Sequence, residues 1–84
     1  MQVRHQKTAR LGHVVHLEIV SPDGFSVRTV RWTLASSTDR PAGELGVHDT
    51  TLGSRLLGAR AGDEFSVQPA GGEAFDVTVL QVFG

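Results

Sequence analysis

The side chains able to do chemistry are few and dispersed: four histidines, nine acids, scattered serines and threonines, and no cysteine among 84 residues. His13 and His16 fall on a segment with the alternating pattern of a strand, where an odd spacing sends side chains to opposite faces. His5 lies near the N-terminus and His48 at a helix entrance, so no HxH or HxxxH pair exists, and neither a metal nor any other cofactor is expected. No serine sits in a GxSxG elbow or another spacing that dictates a nucleophilic triad. The adjacent acids Asp63 and Glu64 diverge as they enter a strand, which suits a turn cap better than acid–base catalysis. Gly53–Gly58 and Gly71-Gly72 lack the strand-then-helix setting and the lysine of a phosphate loop, and read as turns and close packing. No catalytic constellation emerges, and the chain is read as a non-enzyme.

Charge is unevenly placed. Arg4, Lys7 and Arg10 precede the first acid, Glu18, whereas five basic and nine acidic residues follow Leu11. Residues 1–11 form a basic arm, and 12–84 a mildly acidic body. Phosphate contact is the functional reading of the arm, but three charges with no aromatic among them to stack on bases favour a solvated tail, so nucleic acid is not the expected partner. No run approaches the roughly 20 apolar residues of a membrane span, and no apolar stretch follows the basic N-terminus as in a signal peptide. A soluble, cytoplasmic domain is expected.

The elements that must position these residues follow from periodicity. Val15, Leu17 and Ile19 alternate with His16 and Glu18 as in a strand buried on one face. Ser21-Pro22-Asp23-Gly24 is a hairpin turn, with proline preset for the first central position and glycine closing it. The returning segment Phe25–Leu34 changes parity between Val27 and Val30, which predicts a bulge near Arg28–Thr29. Ala35–Gly46 is the main loop, and the step from Leu45 to Val47 offers a further short strand. Asp49-Thr50-Thr51 supplies oxygens to cap a helix reaching about Leu57, with Leu52 and Leu56 on one face and Gly58 to end it. Two turns with an internal Gly53 cannot persist alone, so this helix must dock its leucines on the sheet. Ala61-Gly62-Asp63 turns into a strand Glu64–Pro69, and Gly71-Gly72 leads to a last strand Ala74–Phe83, apolar enough to be buried on both faces. The expected core holds Val15, Leu17, Trp32, Leu56, Leu57, Phe65, Val77 and Val79.

The run from Leu52 through Leu56-Leu57-Gly58 and Gly62-Asp63-Glu64 to Val67 resembles the C-terminal domain of bacterial Gre transcript-cleavage factors, where a helix of the form PxGxxLLG precedes a basic residue, GDE and a strand. Pro69–Val77 is similar to that family's proline-glycine hairpin and closing strand. Gly12–Leu17 resembles its opening strand, and Trp32-Thr33-Leu34 its aromatic-x-aliphatic step. The resemblance spans residues 12–83 and implies an α+β, FKBP-like fold: a curved antiparallel sheet of four to five strands packed on one short α-helix.

It also implies a partner, RNA polymerase, gripped near its secondary channel, with Asp49, Thr51, Leu52 and Arg55 matching the docking segment. Thr51 stands where the family has proline, and Ser36–Pro41 replaces its acidic loop. The family's cleavage acids ride on an N-terminal helical hairpin absent here, so regulation of elongation without cleavage is expected. Two alternatives remain: an interaction module with another partner, and a prolyl isomerase. The latter is disfavoured by a single tryptophan, no tyrosine and four phenylalanines split between strands. Because the helix depends on docking, Leu56→Ala should cost roughly 2–5 kcal/mol, and a thermal melt unchanged by it would refute the docked helix.

Overall fold

The computed structural model describes residues 8–36, 43–48 and 50–84. Asp49 and most of the expected main loop, residues 37–42, lie outside the described residues, as do residues 1–7 of the basic arm. Along the chain come β1 (Val14–Val20), β2 (Val27–Ala35), β3 (Glu44–Gly46), the helix α1 (Thr51–Leu56), β4 (Glu64–Val67) and β5 (Phe75–Phe83). They form one five-stranded sheet in the order β3-β2-β1-β5-β4, with α1 against its inner face. This is the expected α+β, FKBP-like arrangement, with one difference. The sheet is mixed, because β3 runs parallel to β2, placing Leu45 opposite Leu34 and Gly46 opposite Ala35.

Strand β1 is the axis. It pairs antiparallel with β2 on one side and with β5 on the other, and its odd residues Val15, Leu17 and Ile19 point into the core. The hairpin at residues 21–24 forms as its sequence dictates: the Gly24 amide donates to the Ser21 carbonyl at 2.9 Å, with Gly24 at φ +80°. Beyond it the β1–β2 register is unbroken from Val20↔Val27 to Val14↔Thr33, so the bulge expected at Arg28–Thr29 does not exist. The parity change has a simpler cause. Val27 faces outward opposite Val20, while Val30 and Trp32 face inward opposite Leu17 and Val15.

The bulge is in β5 instead, where His16 pairs with Gln81 and Leu17 with Val79, leaving Leu80 as the extra residue. Val77 and Val79 are buried before it and Val82 after it, while Leu80 and Phe83 are exposed. The last strand is therefore covered on one face only, and its apolar run reflects a parity shift rather than two-sided burial.

The helix ends one residue short of expectation. Leu52 and Leu56 share its buried face, but Leu57 has left helical geometry at ψ 119° and is 47% exposed, so it is not a core residue. Gly58, at φ +86°, turns the chain back. Trp32 and Phe65 are half-buried against the core rather than within it. Ala9, Leu34, Val47, Ala59 and Val67 complete the interior. Ala9 is held by two bonds, its amide donating to the Ala59 carbonyl at 2.8 Å and its carbonyl accepting from Gly58 at 2.7 Å. The last residues of the basic arm are thus stitched to the end of α1.

The junction between β3 and α1 is tight. Thr50 is the cap: its Oγ1 accepts from the Gly53 amide at 2.9 Å and donates to the Gly46 carbonyl at 2.5 Å. A Cβ on Gly53 would stand 1.9 Å from that carbonyl oxygen. Gly53→Ala therefore sets a helix-propensity gain of about 1 kcal/mol against a backbone clash. The clash should win, lowering the melting temperature by about 5–15 °C. A variant that melts at or above wild type would show that α1 is free to move off β3.

Candidate functional site

Six residues of helix extend about 9 Å, whereas the nine-residue strands β2 and β5 run to about 30 Å. A roof this short leaves the distal end of the inner sheet face open. There lies a groove of about 330 Å³, floored by Ile19 and Trp32, with Leu52 on the helix side and Phe75 on the β5 side. Its outer end is built by the hairpin residues Ser21, Pro22 and Ser26, and Arg28 is the one charged residue lining it among the described residues.

The hairpin beside the groove is braced. Asp23 Oδ1 accepts from the Phe25 amide at 2.9 Å and from the Ser21 hydroxyl, and that hydroxyl oxygen accepts from the Ser26 amide at 3.1 Å. The bond from Ser21, and secondly that from the Phe25 amide, holds the Asp23 carboxyl below its ordinary value of 3.8. Phe25 itself points into solvent, 91% exposed.

Of the docking residues nominated from sequence, Asp49 lies outside the described residues and the other three divide between two places. Thr51 and Arg55, one helical turn apart, are exposed on the same face of α1. Arg55 lays its guanidinium 5.0 Å from the Phe65 ring centroid, at a second hollow formed by Leu57, Ala59, Asp63 and Glu64. Leu52 is 8% exposed and is a wall of the groove rather than a projecting contact. The cap expected from among Asp49, Thr50 and Thr51 falls to Thr50.

Sequence reasoning missed the groove. Placing the phenylalanines on separate strands hid that Phe75 and Trp32 line one cleft. The available signal was that Arg28, Val30 and Trp32 occupy alternate positions on the inward face of β2. No group of three histidines or acids that could hold a metal occurs among the described residues, and no helix there is long and apolar enough to cross a membrane.

Comparison with solved structures places this architecture. A prokaryotic transcription elongation factor GreA/GreB from Nitrosomonas europaea superposes with a TM-score of 0.69 at 20% identity, over 96% of this chain and 64% of that one. The fold is that of the Gre factors. GreA factor homolog 1 (Gfh1) of Thermus thermophilus superposes equally well, TM-score 0.69 at 22% identity, over all of this chain and 53% of its own. The chain thus spans between half and two thirds of the length of these Gre proteins. Its sequence matches no protein-family model and no curated protein.

In this Gre-type fold the braced turn has a measurable signature. Because the folded carboxyl titrates lower than the unfolded one, Asp23 contributes stability that is present above pH 3.8 and is lost as pH falls through the lower folded value. Carboxyl NMR should give Asp23 a midpoint below 3.8, and Ser21→Ala should raise it. An unchanged midpoint in Ser21→Ala would exclude the hydroxyl as the main cause.

Proposed function

We propose that this chain is a non-catalytic Gre-type module that binds RNA polymerase near its secondary channel and regulates transcription elongation. The observation supporting the reading is the fold shared with a GreA/GreB transcription elongation factor and a GreA factor homolog over essentially all of the chain. The site lies at the start of α1. Asp49 supplies a negative charge to a basic group on the polymerase, Thr51 and Arg55 present a polar helix face, and Leu52 backs them with an apolar wall. This chemistry is suited to gripping a protein surface: one guanidinium is already shaped by an aromatic ring, beside a cleft with an apolar floor. A cytoplasmic location follows from such a partner.

Titration of core RNA polymerase with the labelled chain tests the reading. Thr50 makes the capping bond to Gly53, and Asn caps comparably to Asp, so Asp49→Asn should leave the melting temperature within a few degrees of wild type. The same change should weaken binding, and added salt should weaken the wild-type complex, since an exposed charge pair is screened over about 8–10 Å. Folded wild type that fails to bind polymerase would leave an interaction module with a different partner. Equal binding by both proteins would keep the partner and remove Asp49 from the contact. A chymotrypsin-coupled proline-peptide assay on the same preparation reads the isomerase alternative, for which Trp32 and Phe75 share a cleft.

A further inference from the structure

Two features of the hairpin end are incomplete, and each has what the other lacks. The groove presents Trp32, Phe75, Leu52 and Ile19 around about 330 Å³ of open space, because α1 is too short to roof them. A few residues away Phe25 stands in water at 91% exposure, although an aromatic ring is among the side chains with most apolar area to gain from burial. Phe25 cannot fill the groove of its own chain, since it occupies the outward parity of the hairpin whose inward residues, Ser21 and Ser26, build the groove's end wall.

We propose that the groove receives the hairpin tip of a second copy of this chain, with Phe25 seated over Trp32 and Asp23 facing Arg28 of the other copy. Charge matches in both directions. Arg28 is the one ionisable residue lining the groove among the described residues, and Asp23 lies two positions from Phe25 on the inserted tip. Both local hydrogen bonds to the Asp23 carboxylate end on Oδ1, leaving Oδ2 without a partner among the described residues. Tip and groove are neighbours on one chain, which lets a two-fold axis satisfy both copies at once: each gives a Phe25 and receives one. The tip is held by the Ser21–Gly24 turn, the Asp23 bonds and the Ser26 amide, so little freedom remains to be lost on insertion. The contact is one hairpin wide, below the roughly 1,200 Å² of total area typical of stable pairs, so the dimer is weak and reversible. This inference stands on the hairpin geometry and does not require polymerase binding, although Leu52 is common to both surfaces.

Sedimentation equilibrium of the full chain from about 5 μM to about 1 mM should show a monomer becoming a dimer, with emission from the sole tryptophan, Trp32, shifting to the blue in parallel. Phe25→Ser, at an exposed position, should weaken association by about tenfold or more and abolish the shift. Asp23→Arg and Arg28→Asp should each be monomeric. An equimolar mixture of those two variants should associate again, because both cross-contacts then pair opposite charges. Circular dichroism melts verify folding, and if Asp23→Arg unfolds the turn, Phe25→Ser and Arg28→Asp carry the test. A wild-type chain that stays monomeric throughout the range, or a dimer unaffected by Phe25→Ser, would overturn the proposal.

Discussion

Everything on the inner face depends on how closely α1 approaches the end of β3. Gly53 rests on the Gly46 carbonyl with no room for a side chain, and Thr50 bonds to that same carbonyl while capping the helix. A two-turn helix containing glycine has little intrinsic stability, so its position must come from tertiary contact. The contact anchors the helix at its N-terminal side. Leu52 and Leu56 are thereby set over Val15, Leu17, Leu34 and the rest of the buried cluster. The far end of α1 is secured separately, by the Ala9 bonds to Gly58 and Ala59.

Anchoring at both ends fixes what the helix leaves uncovered. Thr51 and Arg55 must face outward because Leu52 and Leu56 face inward, and Arg55 then finds the Phe65 ring. On the Leu52 side of the helix the sheet face is left open, and Trp32 with Phe75 lines a cleft there instead of closing a core. The helix corner and the cleft are consequences of one placement and share Leu52 as a common wall.

Local signals were readable from sequence wherever chemistry acts over a few residues. The alternation of β1, the Ser21–Gly24 turn, the leucine pair of α1 and its Gly58 terminator are all of this kind. What could not be read depends on a partner strand. A parity break within β2 has two explanations, a bulge or outward apolar residues, and only the unbroken register with β1 selects the second. The bulge at Leu80 is hidden in a run where nearly every residue is apolar, so no alternation existed to be broken. The parallel course of β3 and the meeting of Phe75 with Trp32 both join segments distant in sequence. Leu57 misled because its neighbour Leu56 is buried, and the helix stops between them.

The central position of β1 also governs the order in which this architecture can assemble. Its ladder with β2 closes through a four-residue turn, a local event of microseconds. Its ladder with β5 joins the first strand to the last, so almost the whole chain must be looped before any of those pairs forms. Contacts of such long sequence separation slow folding more than they limit stability, since closure entropy grows only with the logarithm of loop length. Among the described residues β4 has no strand neighbour except β5, and it waits on the same step. The ribosome must therefore expose β5 before the five-stranded sheet can close, and until then one side of β1 is unpaired even after β2 and β3 have been made.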